Sequence, residues 1–234
     1  MDRFEKPLYT VGESARYLDV PERTFYNWAH GYHYTRHGRD VTGPPALTTV
    51  PRSGRGRPVV PFIGLAEGYV LSAIRRSGVP MQRIRPAIAQ LDAELGLAHV
   101  LASRRLYSDG AEVLYDYATS TKDEDTAEAA RELVVVRNGQ RVFNEVVSSY
   151  LTRLDFAADD YASLIRLPAY AVAELIVEPS RGFGQPIFAR GGARLDDALA
   201  LFRAGEPLEV VADEYGIPRD QLEDAVRVAT RVAA

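Results

Sequence analysis

The chain has 234 residues, 46% of them hydrophobic and 26% charged, a composition that can bury a core as one large domain or two to three small ones. It has no cysteine, which excludes a disulfide framework, a thiolate zinc site, an iron–sulfur cluster and cysteine nucleophile chemistry. The net charge of −4 conceals a division: residues 1–106 hold 15 Lys and Arg against 9 Asp and Glu, whereas residues 107–234 hold 13 against 23. A basic front half suits nucleic acid and an acidic rear half is repelled by phosphate, so two different partners are expected.

Taken in chain order, Thr10 and Glu13 have the spacing of a capping box, which starts a helix at Val11 with Val11, Ala15 and Leu18 on its apolar face. Asp19-Val20-Pro21 interrupts that helix and opens a second one, whose buried stripe is Phe25, Trp28 and Ala29. Glu22, Arg23, Tyr26, Asn27 and His30 are left on its other face. Two helices this short form no core alone and fit a helix-turn-helix, in which the outward residues of the second helix reach base edges in a major groove. The alternative is an ordinary helical hairpin with a polar face.

Residues 31–46 are polar and punctuated by Gly and Pro, which predicts a loop. The β-prone runs 47–50 and 58–61 then flank Arg52-Ser53-Gly54-Arg55-Gly56-Arg57, which predicts a hairpin with three arginines at its tip, placed to grip phosphate or a minor groove. Ile63, Ala66, Val70 and Ile74 line one side of a helix that stops at Ser77-Gly78-Val79-Pro80; a further helix carries Ile84, Ile88, Leu91 and Leu95 and ends near Gly96. Residues 9–31, the hairpin at 47–61 and the phrase Ala73-Ile74-Arg75-Arg76-Ser77-Gly78-Val79-Pro80-Met81-Gln82-Arg83-Ile84 together resemble the winged helix-turn-helix of MerR-like regulators. The resemblance implies dimers on near-palindromic sites, with Glu22, Arg23, Thr24, Tyr26 and Asn27 facing the groove and Arg52, Arg55 and Arg57 as wing contacts. The loop at 31–46 is longer than that family usually shows, and no long dimerising coiled coil follows.

Beyond the head (residues 1–104), β-prone runs at 105–107 and 112–117 flank Ser108-Asp109-Gly110. The acidic stretch 119–128 has no apolar period and is expected to be a solvated connection. Runs at 133–137 and 140–143 bracket Asn138-Gly139, a strong hairpin signal; a short helix at 144–149 follows, and 151–156 and 161–167 alternate with period two. A small antiparallel sheet over residues 105–173 is the expectation.

In residues 174–234 an apolar stripe of helical spacing occurs three times: at Leu195, Ala198, Leu199 and Phe202; at Leu208, Val211, Ala212 and Tyr215; and at Leu222, Ala225, Val226 and Ala229. Gly205 and Gly216 stand where helices stop, and Pro207 and Pro218 where the next begin, so a three-helix unit is predicted, introduced by residues 177–188. The whole chain is therefore expected to be α+β and helix-rich. The last two helices could pass as a second helix-turn-helix, but residues 195–234 hold 9 acids and 4 arginines, and the final helix shows Asp220, Glu223 and Asp224 on its outward face against Arg219 and Arg227. That charge suits a protein partner better than a duplex. The segment resembles the DUF four-three-three family in its Gly184-Gln185-Pro186 step, its Ala204-Gly205-Glu206 turn and its phrase at 211–216, with Gly191-Gly192-Ala193-Arg194 standing where that family has Gly-Thr-Arg. The resemblance implies an antitoxin encoded beside a PIN-like ribonuclease toxin, and a MerR-like head on such a tail looks like a VapB-type antitoxin.

Chemistry beyond binding is not expected. His30, His33 and His37 would share one side of a continuous helix, but Gly31 and Gly38 argue against a helix there, which leaves a solvated or phosphate-contacting loop rather than a metal site. The neighbours in Asp159-Asp160 and Asp196-Asp197 diverge on any regular element, and Gly182-Phe183-Gly184 lacks the rest of a phosphate-cradling loop. No nucleophile, base and oxyanion donor assemble, so no enzyme, cofactor or metal is expected. No apolar run approaches the roughly 20 residues of a membrane span and the first residues lack an apolar leader, so no membrane partner and a cytoplasmic location are expected. The leading expectation is an antitoxin that binds operator DNA as a homodimer through its front and a cognate PIN-like ribonuclease toxin through residues 181–234, repressing its own operon. The alternatives are a free-standing MerR-like transcription regulator without a toxin, whose central sheet senses a ligand, and an interaction module in which both helix-turn-helix patterns are structural relics.

Overall fold

The structure is a computed structural model that describes residues 2–36, 39–51, 54, 56–76, 81–108, 124, 127, 131, 134–137, 140–143 and 152–231. It is α+β, with eight named helices and small antiparallel sheets among the described residues. Helix α1 (Val11–Tyr17) starts at the capping box: the Thr10 hydroxyl accepts the Glu13 N–H at 3.2 Å, and Glu13 Oε2 accepts the Thr10 N–H at 2.8 Å. Helix α2 (Glu22–His30) follows across a short turn and buries the predicted Phe25, Trp28 and Ala29.

The next element corrects the sequence reading. The hairpin expected at 47–61 is not the regular one; the regular hairpin lies inside the predicted loop, as β1 (Tyr32–Arg36) paired antiparallel to β2 (Arg39–Gly43), from Tyr32↔Gly43 to Arg36↔Arg39 at the tip. The physical reason is legible afterwards. Tyr32, Tyr34, Thr35, Val41 and Thr42 are strand formers, whereas Pro51, Pro58 and Pro61 remove ladder donors from the later segment. Among the described residues, that segment is closed by a bond from the Val50 N–H to the Val59 carbonyl, 2.9 Å, and Val59 and Val60 bond to Tyr9.

Helix α3 (Phe62–Arg76) is buried at every position from Phe62 to Ile74, so it is a strut enclosed on all sides rather than a helix with one apolar side. Helix α2 can close on it because position 68 is glycine: a Cβ there would lie 2.7 Å from Phe25 Cε2. Helix α4 (Met81–Leu95) ends at Gly96 as predicted, and a 3₁₀ turn (Val100–Ala102) returns the chain to α3. Residues 105–107 are not a strand. They belong to a short helix, α5 (Arg104–Ser108), because the Ser103 hydroxyl accepts the Arg105 N–H at 3.2 Å and Leu106 is fully buried.

Of the connection expected at 119–128, Glu124 and Ala127 are helical, and Ala127 is buried instead of solvated. The β-prone run at 112–117 and the short helix at 144–149 lie outside the described residues. The predicted hairpin forms as β3 (Val134–Arg137) against β4 (Gln140–Phe143). A four-stranded antiparallel sheet in the order β5 (Leu154–Phe156), β6 (Ala162–Arg166), β7 (Leu175–Val177) and β8 (Ile187–Phe188) packs through β6 on α3. Its last two strands come from the stretch that leads into the tail.

The tail is α6 (Leu195–Arg203), α7 (Leu208–Tyr215) and α8 (Arg219–Arg231), with Leu195, Ala198, Leu199, Val211, Ala212, Leu222 and Ala225 buried. One expected surface residue points inward: Asp224 is 4% exposed and accepts the backbone N–H groups of Val172 at 2.7 Å and Ala173 at 3.0 Å. Burial pushes its carboxyl upward, but the Ala173, Val172 and Ala171 N–H groups outweigh burial and hold it below the usual carboxylate range. On α8 Asp224 lies about 100° around the helix from Ala225, the nearest member of the predicted stripe, so periodicity leaves it outside that stripe and the loop before β7 is what buries it. A single apolar core runs from Leu8 through α3 and the sheet to Ala225. The Tyr9 hydroxyl closes it by donating to the Gly184 carbonyl at 2.6 Å, inside the core.

Candidate nucleic-acid interface

The second helix of the head carries the candidate residues because its sequence buries one stripe and leaves the rest. Pro21 sets its start, and Phe25, Trp28 and Ala29 turn inward on Leu18 and α3. Glu22, Arg23, Tyr26 and His30 are exposed, and Thr24 and Asn27 are half-buried. The exposed face is pre-ordered by aromatic contacts. The Tyr26 and His30 rings meet edge to face with centroids 4.7 Å apart, and the Arg23 guanidinium lies over the Tyr26 ring, 5.5 Å from its centroid.

Arg57 is exposed and joins this face: with Gly56 and Val59 it shares an open concavity of about 390 Å³ with Glu22, Tyr26, His30 and the Thr10–Gly12 turn. The structure thus brings together Glu22, Tyr26 and Arg57, three of the eight residues proposed from sequence, with Arg23 stacked beside them. Arg52 and Arg55 lie outside the described residues. Among the described residues no acid pairs with Arg23 or Arg57. Two cations left uncompensated beside a polar helix face can neutralise phosphate.

Sequence reasoning missed the hairpin that leaves the end of α2. Its tip register pairs Arg36 with Arg39, and its base stacks Tyr32 on Tyr34 at 5.7 Å. The alternation of Tyr, Thr and Arg at 32–36 was the available signal. It also missed the support behind the helix. Arg85 of α4 lies over the Tyr32 ring, 5.2 Å to the centroid, and donates through Nη2 to the Asn27 carbonyl at 3.4 Å.

Glu67 of α3, 4% exposed, accepts the Thr48 N–H at 2.6 Å and the Thr48 hydroxyl at 3.0 Å, and His99 Nδ1 at 2.9 Å. The hydrogen bond to Glu67 raises the His99 imidazole above its ordinary value, against the opposing effect of burial, and the nearby Asp92 charge adds to it. A lone acid in the otherwise apolar stretch 62–71 was the sequence signal for this anchor, which pins the segment following β2 to α3. Of the three clustered histidines, His30 ends α2, His33 lies on β1 and His37 lies outside the described residues; among the described residues no three potential ligands converge on a metal position.

A helix-turn-helix with an exposed, cation-bearing second helix and a hairpin beside it defines a class: helix-turn-helix DNA-binding proteins. Residues 7–88 match a family model described as "Putative DNA-binding HTH domain". Over 226 residues the chain is 46% identical to a protein of Mycobacterium tuberculosis (strain ATCC 25618 / H37Rv) named "Putative antitoxin VapB45", an alignment that covers 96% of this chain and 94% of that one. The chain belongs to the family of that antitoxin. A second protein of the same organism, "Uncharacterized protein Rv2308", is 28% identical over 98% of this chain and 95% of its own length. The crystal structure of Rv2018 from Mycobacterium tuberculosis superposes with a TM-score of 0.82 at 44% identity, covering 96% of this chain and all of that one. Among the described residues no helix is long and apolar enough to cross a membrane.

Proposed function

We propose that this protein is the antitoxin of a type II toxin–antitoxin pair and acts by binding rather than by catalysis. Its head, similar to the MerR-like winged helix-turn-helix, binds operator DNA as a homodimer through Glu22, Arg23, Thr24, Tyr26 and Asn27 in the groove and Arg52, Arg55 and Arg57 on phosphate. Its acidic tail, similar to the DUF four-three-three family, holds and blocks a PIN-like ribonuclease toxin, and the complex represses its own operon. The head is taken as residues 1–104, the central region as 105–173 and the tail as 174–234, and the protein is taken to work in the cytoplasm. The observation that carries the reading is the shared concavity of the exposed α2 face and Arg57, on a chain whose 46%-identical relative is named an antitoxin.

Charge supports the division. The tail carries exposed Asp220 and Glu223 on α8, which oppose a duplex and favour a partner with a basic surface. The test is coexpression of the full chain with the protein encoded by the neighbouring reading frame, together with a mobility-shift assay on the upstream promoter fragment. Wild type is expected to restore growth and to shift the fragment. The double reversal Asp220→Lys with Glu223→Lys is expected to lose rescue while keeping the shift. Rescue by the reversal, or growth arrest that wild type cannot relieve, would refute the toxin half of the reading.

A further inference from the structure

Residues 181–188 contain a turn whose backbone is fixed into the core while its middle side chain is left outside. Gly182, Phe183 and Gly184 all have left-handed backbone, with φ of 54°, 57° and 79°, so three consecutive residues wind the unfavoured way. The turn is closed by two hydrogen bonds, from the Gly184 N–H to the Arg181 carbonyl at 2.9 Å and from the Gln185 N–H to the Gly182 carbonyl at 3.0 Å. Glycine suits both flanks because φ is positive and a side chain would crowd its neighbours: a Cβ at 182 would stand 2.6 Å from Ile187 Cγ2 and one at 184 would stand 2.8 Å from Leu8 Cδ1. The middle residue is a large L-amino acid in a conformation that crowds its Cβ against the following carbonyl.

That residue is also the most exposed large hydrophobic side chain among the described residues. The Phe183 ring is 76% exposed, whereas the other exposed ones lie between 38% and 48%. A phenylalanine held in strained backbone and pushed into water is unfavourable twice over, and among the described residues no aromatic or cation–π partner meets the ring. The turn is nevertheless rigid. The Gly184 carbonyl accepts the buried Tyr9 hydroxyl at 2.6 Å, Arg181 pairs with Glu178 at 3.5 Å, and the neighbouring Arg194 is locked to Asp197 at 2.6 Å. A strained, preorganised aromatic with paired arginines around it has the composition of an interface hot spot, in which ordering has been completed before the partner arrives.

We infer that Phe183 is the anchor by which this protein seats in an apolar socket on its toxin. The inference rests on the toxin reading above and narrows the region 181–234 to one side chain. A duplex is disfavoured as the occupant because residues 174–234 hold 11 acids against 7 arginines. The flanking arginines are neutralised by their own carboxylates, which leaves the ring as the dominant feature and calls for an apolar socket within a basic surround.

The test uses the full chain with Phe183→Gly, which removes the ring and relieves the backbone together. If the ring serves only binding, Phe183→Gly raises Tm by about 2–4 °C. It also leaves promoter binding unchanged and weakens affinity for the protein of the neighbouring frame about 30-fold. Phe183→Tyr, which keeps the ring, retains most of that affinity. A fall in Tm for Phe183→Gly would show the ring to be structural, and undiminished toxin affinity would show that the socket does not exist; either result overturns the assignment while leaving the antitoxin reading intact. Light scattering on the same samples separates the remaining occupant: a wild-type dimer that Phe183→Gly dissolves would place a second copy, and not the toxin, on the ring. If wild type itself binds no nuclease, the antitoxin reading falls and the anchor falls with it.

Discussion

The molecule contains two helix pairs joined by short turns, α1–α2 in the head and α7–α8 in the tail, and they use their charges in opposite ways. On α2 the exposed Arg23 rests on an aromatic ring and, like Arg57 beside it, has no acid partner among the described residues. On α8 two arginines are spent locally, Arg219 on Glu209 at 2.9 Å and Arg227 on Glu223 at 3.1 Å. The acids differ as well, since Asp224 turns inward to hold the backbone before β7. Helical periodicity alone therefore does not identify a groove-reading helix; what matters is whether its cations are left available to a polyanion.

The largest expected effect comes from breaking the tail's inward use of charge. Asp224→Ala leaves the Val172 and Ala173 N–H groups buried without an acceptor and is expected to cost about 3 kcal/mol in urea unfolding, with Asp224→Asn losing less. The exposed Glu223→Ala, one position away, is expected to stay within about 0.5 kcal/mol. Next is the head's packing: Gly68→Val pushes a branched side chain into Phe25 and is expected to cost about 2 kcal/mol, with promoter affinity falling as α2 is displaced.

The groove and phosphate roles should separate in the DNA assay. Asn27→Ala is expected to relax preference at one base position by about 1–3 kcal/mol, measured on a set of singly substituted operators. Arg57→Ala is expected to weaken all sequences alike and to reduce the salt slope by about 1. Equal behaviour of both variants would erase the distinction between α2 and its neighbouring loop. The smallest effect is a pH dependence. The His99 imidazole is raised in the folded protein by its bond to Glu67, so the stability it adds is fully present below about pH 6.5 and is lost as pH rises through the raised value. The Tm of wild type is expected to fall over that window relative to His99→Gln, with Phe4, Tyr161, Thr48, Glu67 and Asp92 the groups that surround the ring.

Those outcomes bear on how much could be read from the residues alone. The capping box at Thr10 and Glu13, the stripe Phe25-Trp28-Ala29 and the three tail helices were legible because local periodicity and local caps decide them. The β1–β2 hairpin was missed because Gly and Pro at its ends outweighed the strand formers between them. The α5 helix was missed because one serine cap and one buried leucine override β propensity there. At the candidate interface, the polar face of α2 could be listed from the 3.6 period, but its meeting with Arg57 depends on Val59 and Val60 bonding to Tyr9, a contact some 50 residues distant in sequence. The inward turn of Asp224 likewise depends on a loop about 50 residues earlier.

The bond between the Tyr9 hydroxyl and the Gly184 carbonyl has a consequence for turnover. Because the first helix pair and the last three helices share one interior, a protease that opens the C-terminal end should also loosen the helix-turn-helix. Under the toxin–antitoxin reading proposed above, degradation would then release both partners in a single event.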